Sequence, residues 1–128
     1  MNQPCTCQCG VGAEETRLVF PCSGAADVGE VTDRAARWMM RAGTGDMYCL
    51  AGIGGHVSGI MASTAAATKI LAIDGCAQEC ARKTLEHAGF TGFRHLKLDE
   101  LGFKKRHTPP TDEVVHCVAE AGAVLFNT

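Results

Sequence analysis

Two kinds of apolar pattern alternate along the chain. Arg17-Leu18-Val19-Phe20 is a compact apolar run closed by Pro21, and it predicts a first buried strand. After Ser23-Gly24, Val28, Val31, Ala35, Trp38, Met39 and Ala42 recur at helical spacing, with Asp27, Glu30, Asp33, Arg34 and Arg37 between them and Gly43 at the end. Met47-Tyr48-Cys49-Leu50 predicts a second strand, and Ala51 to Gly55 a glycine turn into a small-residue helix from about His56 to Ala67. Lys69 to Ile73, β-branched and apolar on both faces, predicts a third strand in the middle of a parallel sheet. Ala77, Ala81, Leu85 and Ala88 follow at helical spacing with Gly89 as the C-cap, then a weaker fourth strand over Phe93 to Leu98. Beyond Pro109-Pro110, Thr111 caps a final helix with a buried stripe of Val114, Cys117, Val118, Ala121 and Leu125, and Asp112 and Glu113 sit favourably in its first turn.

Strand and helix alternating through short loops make a parallel sheet covered on both faces. The expected fold is α/β: a small three-layer domain over residues 17–128, with a mostly parallel four-stranded sheet in order 2-1-3-4. Residues 1–16 carry Cys5, Cys7 and Cys9 as C-x-C-x-C, are short of branched apolar residues, and read as a flexible leader without an assigned role. In such sheets ligands sit beyond the carboxyl ends of the strands, where the strand order reverses.

Composition narrows the function. A chain of 128 residues buries enough surface to fold without staples. With 12 basic and 14 acidic residues and no basic block, nucleic acid and anionic membrane are poor partners. No stretch reaches the ~18 apolar residues of a membrane span. MNQPCTCQCG has neither the charge nor the apolar segment of a signal peptide, so a cytoplasmic protein is expected. Eight cysteines in a reducing compartment read as metal ligands or reactive groups before they read as disulfides.

Four of those cysteines fall at equivalent places in the predicted topology. Cys22 lies just past strand 1, Cys49 at the end of strand 2, Cys76 just past strand 3, and Cys80 one turn into the next helix. The outer two of three neighbouring strands end roughly 10 Å apart. Zinc–sulfur bonds are about 2.3 Å, so the loops must curl inward, which Gly24, Gly52 and Gly75 permit. Cys76 and Cys80, four apart, would share one helix face. Four converging thiolates form a closed tetrahedral site of the kind zinc takes, and helix N-termini aimed at that edge would help hold the negative charge.

The same residues carry a resemblance. "VFPCSGAADVGEV" at 19–31, "MYCLAGIGGHVSGI" at 47–60 and "KILAIDGCAQECARKTLEHAG" at 69–89 resemble the small zinc-binding proteins named for a DGC motif, here Asp74-Gly75-Cys76. The resemblance implies a zinc site carried by Cys22, Cys49, Cys76 and Cys80, and it is not tied to one reaction.

Competing signals are weaker. Cys76 and Arg82 have the C-x5-R spacing of a phosphatase loop, but Glu79 would repel an anion and the glycines of a phosphate cradle are missing. Gly52-Ile53-Gly54-Gly55 satisfies neither dinucleotide nor P-loop spacing. His56 is an alternative ligand or a neighbour of the cluster, although a lone histidine at a helix start is more often simply solvated. His87, His95, His107 and His116 fall away from that edge. Cys117 belongs to the core, and Asp74 shapes the turn before Cys76 or caps the helix. The sequence therefore describes a zinc-binding protein in metal handling or sensing, with no catalytic residue assigned. Its rival is a thiol-dependent enzyme or redox protein using Cys76 at a helix N-terminus as the reactive cysteine.

Overall fold

A computed structural model describes residues 15–128. The expectation of a flexible leader falls mainly on residues outside these. The strands are β1 (Arg17–Pro21), β2 (Asp46–Met47), β3 (Lys69–Asp74) and β4 (Arg94–Lys97). They form one parallel sheet in the order β2-β1-β3-β4, as the alternation of strand and helix predicts. Five helices pack around it: α1 (Asp27–Arg41), α2 (Leu50–Gly54), α3 (Ser58–Ala65), α4 (Cys80–His87) and α5 (Asp112–Phe126). No helix among the described residues is long and apolar enough to cross a membrane.

Alternation along the central strands divides the core. Val19, Leu71 and Ile73 point to one face, where Val31, Ala35 and Met39 of α1 meet Val118 and Phe126 of α5. Leu18, Phe20 and Ala72 point to the other, against Ile53 of α2 and Ala81 and Leu85 of α4. Both faces of β1 and β3 are covered, which is why Leu18–Phe20 and Ile70–Ile73 are unbroken apolar runs. Thr111 caps α5 by accepting the Val114 N–H at 3.2 Å. Gly89 ends α4 at φ +97° while the Gly89 and Phe90 N–H groups donate to Glu86 and Leu85, a Schellman closure.

Several boundaries move. The second strand is two residues long rather than four, and Cys49 becomes the N-cap of α2, so the expected glycine turn is itself a helix that buries Ile53. An edge strand has one ladder to satisfy, and Tyr48 N–H completes it by donating to Val19 O at 2.8 Å. Residues 75–79 form a turn, which delays α4 to Cys80, and the fourth strand ends at Lys97 in a 3-10 turn over Leu98–Leu101. The face of α5 is shifted by one residue: Val115, Val118, Ala119, Gly122 and Phe126 are buried, and Cys117 is exposed rather than in the core. Two stripes one residue apart both fit a 3.6-residue period. Phe126 selects the observed one, together with Gly122, where any side chain would meet Met39 and Leu71.

Candidate metal centre

The four predicted thiols all lie at the carboxyl edge of the sheet. Cys22 directly follows β1, and its N–H donates to Ile73 O at 2.9 Å, which keeps it level with the end of β3. Cys49 opens α2 beyond β2, Cys76 lies in the turn after β3, and Cys80 is the first residue of α4. No disulfide joins them; Cys22 and Cys76 are half-buried, Cys49 and Cys80 exposed. Cys22, Cys76 and Cys80 line one cavity of about 690 Å3. Cys49 lines a neighbouring one of about 490 Å3 and shares it with Cys22. Among the described residues, no three of the His, Cys, Asp and Glu side chains stand close enough together to hold an ion.

Each loop has a physical reason for its course. Ser23, next to Cys22, holds φ at +52°, and its N–H donates to the Thr32 hydroxyl at 3.1 Å. Thr32 Oγ1 in turn donates to Gly29 O at 2.8 Å and lies 3.4 Å from Cys22 Sγ. With the threonine proton engaged by Gly29, the Cys22 thiol is the donor in that contact. Gly29 lets the Gly24 backbone seat on α1, since a Cβ there would fall 2.3 Å from Gly24 O. Gly75 does the same for the Cys76 turn, because a Cβ there would lie 2.9 Å from Val28 Cβ. Both cysteine loops thus rest on the first turn of α1.

Asp74 explains the other half of the D-G-C run. Its carboxylate, 1% exposed, accepts the Ala81 N–H at 2.7 Å and the Arg82 N–H at 3.0 Å, which are first-turn amides of α4, and contacts His95 Nε2 at 2.8 Å. Asp74 therefore caps the helix that carries Cys80. Glu79, the residue before Cys80, adopts a left-handed conformation at φ +55° and joins both Arg82 and Lys97. The Arg82 hydrogen bond is the chief reason its carboxyl is held below the usual range; the same contact pushes the guanidinium up, as Glu79 does Lys97.

Two expectations are corrected here. Cys76 precedes α4 rather than lying within it, so the pair shares a cavity and not a helix face. First-turn amides at two helix ends are already taken: Asp74 accepts Ala81 and Arg82 N–H of α4, and Asp27 Oδ1 accepts Val28 N–H at the start of α1. Those amides are not available to the thiolates. His56 is exposed and lines a third cavity with Lys83 and His87 that no cysteine lines, in keeping with the solvated reading. Arg82 is engaged by Glu79 and Glu86 and does not line the Cys76 cavity, which removes the phosphatase-like arrangement.

Sequence reasoning missed three groups. His95 reaches Asp74 only through the β3–β4 pairing. Thr32 lies within α1 and belongs to no motif that marks it. Lys105 and Arg106 line the large cavity from a loop, and the Lys104-Lys105-Arg106 run was their only signal.

Comparison with known proteins places this edge in a wider group. A family model described as the DGC domain matches residues 18–121. The "Anaerobic and virulence modulator AnvM" of Pseudomonas aeruginosa (strain PAO1) is 36% identical over 90 residues, 70% of this chain and 69% of that protein. No solved structure gives a significant match. A match that runs from within β1 through β4 and includes the Asp74-Gly75-Cys76 turn makes the conclusion direct: the chain belongs to the DGC domain family.

Proposed function

We propose that the chain binds one zinc ion through Cys22, Cys49, Cys76 and Cys80 and uses it in metal handling or sensing within a reducing compartment. The observation that carries this reading is the placement of four free thiols at the ends of three neighbouring strands, three on one cavity and the fourth on a cavity that shares Cys22. The donor chemistry suits zinc, which takes four thiolates in closed sites. The spacing requires movement: the exposed Cys49 and Cys80 side chains turn inward, and Cys22 releases its proton and its contact with Thr32. When bound, the ion would supply a fixed charge that draws three strand ends together. AnvM is by name a modulator, which favours a regulatory use over a catalytic one.

Thiol chemistry at Cys76 is the second reading. Cys76 borders both the large cavity and another of about 330 Å3 that includes Lys104 and Lys105. Elemental analysis and thiol titration of the full chain, purified without chelator, separate the two. Zinc binding predicts about one zinc per chain and four slow thiols freed by a chelator. One fast thiol without metal, or iron in place of zinc, overturns it.

A further inference from the structure

The large cavity at the β1–β3 junction has features that thiol ligation leaves unexplained. Its volume of about 690 Å3 lies within the ~300–1,000 Å3 usual for small-molecule sites. It opens at the carboxyl edge where the strand order reverses, the place such sheets offer a ligand. Its walls are mostly apolar, built from Ala26, Val28 and Gly75 among others. Lys105 and Arg106 place two positive charges on the lining against the one carboxylate of Asp27, and the side-chain ion pairs among the described residues all run between other groups.

The backbone of the loop that carries the basic pair is anchored. Asp27 accepts Arg106 N–H at 2.8 Å and Thr108 N–H at 3.0 Å, and the Thr108 hydroxyl donates to Lys104 O at 2.7 Å. Arg106 itself sits at φ +75°. Among the described residues, three of the four non-glycine residues with positive φ, Ser23, Glu79 and Arg106, lie in or directly beside the lining of this cavity. Such conformations are strained and cluster where a binding site is built in advance.

We propose that this cavity binds a small organic anion, with its acidic group held by Lys105 and Arg106 and its apolar body against Ala26, Val28 and Gly75. The site does not depend on the zinc reading. Asp27 Oδ1 already accepts the Val28 N–H of α1 at 2.7 Å, so that amide is not open to the ligand.

8-Anilinonaphthalene-1-sulfonate, an apolar aromatic body with one sulfonate, is the probe. Titrated into the isotopically labelled full chain, it is expected to bind at one saturable site and to shift the backbone amides of residues 24–29, 75–80 and 104–108. Lys105→Gln combined with Arg106→Asn, asparagine being tolerant of positive φ, should weaken binding about tenfold or more, the loss expected when two charged hydrogen bonds go. Lys83→Gln, which removes a charge from a separate cavity, should leave it unchanged. Unsaturable binding, shifts centred elsewhere, an unaffected double variant, or an equal loss in Lys83→Gln would each overturn the proposal. Zinc content is measured in the same samples. A double variant that loses zinc while binding the probe as the parent does would make the two cations counter-charges to thiolates and overturn the anion site. Probe binding without zinc in any sample would remove the metal reading and leave this one standing.

Discussion

Asp74 shows at the scale of one residue how a sequence motif turns into geometry. Its buried carboxylate meets two helix amides and one imidazole, so it serves the helix seven residues on rather than an acid/base step. Asp74→Ala leaves the Ala81 and Arg82 N–H groups without that acceptor, and should destabilise the fold by about 2–4 kcal/mol, a lost cap plus buried donors left unpaired. The denaturant midpoint should fall with the slope unchanged. A residue kept for catalysis alone would leave the midpoint where it was. The motif itself was legible, and capping was one of the two roles its sequence offered. Which of the two it takes was not legible, because Asp74 and α4 meet across the turn of residues 75–79, whose left-handed Glu79 no apolar period announces. His95 was illegible for a related reason, since its contact depends on strand register.

Among elements, the basic loop of residues 104–108 and the start of α1 act as one unit through Asp27. The hydrogen bonds from the Arg106 and Thr108 backbones are the main causes that hold the Asp27 carboxyl below its ordinary value of 3.8, with burial opposing them. A carboxyl depressed on folding contributes stability above its unfolded value, and that contribution is lost as pH falls through the folded one. The loop should therefore stay docked through the ordinary aspartate range and release only at lower pH. Amide shifts of Arg106 and Thr108 followed by NMR should have midpoints below 3.8. Asp27→Asn should produce similar shifts at neutral pH, which separates loop release from general acid unfolding; midpoints at or above the ordinary value would refute the account. The helix was legible from its apolar stripe and its acidic start. The loop that lies on it was not, because the contact joins residues about eighty positions apart through backbone groups that no side-chain pattern records.

For the molecule as a whole, the sheet order sets what the thiols can do. Order β2-β1-β3-β4 was readable from the alternation of elements, and with it the gathering of four cysteines at one edge. Their unequal grouping was not, because it follows from the shortness of β2. That strand is two residues long and pairs with β1 at Leu18–Asp46 and Val19–Met47, with Tyr48 adding one further bond. Cys49 is carried just beyond it and lines a cavity apart from Cys76 and Cys80, joined to them only through Cys22. Cys49 therefore decides between a closed zinc site, which takes all four ligands from the protein, and an open one, which keeps three and leaves a place for water or substrate. The closed arrangement is the expected one, with four sulfurs at about 2.3 Å by X-ray absorption on the zinc-loaded chain. Cys49→Ser should then weaken zinc as severely as Cys22→Ser or Cys80→Ser, and zinc should slow hydrogen exchange through α2 by tying that edge to the centre of the sheet. Three sulfurs with one lighter ligand, Cys49→Ser indistinguishable from the parent, and unchanged exchange in α2 would together mean an open site on Cys22, Cys76 and Cys80. The ion would then face the large cavity, where a ligand could reach it.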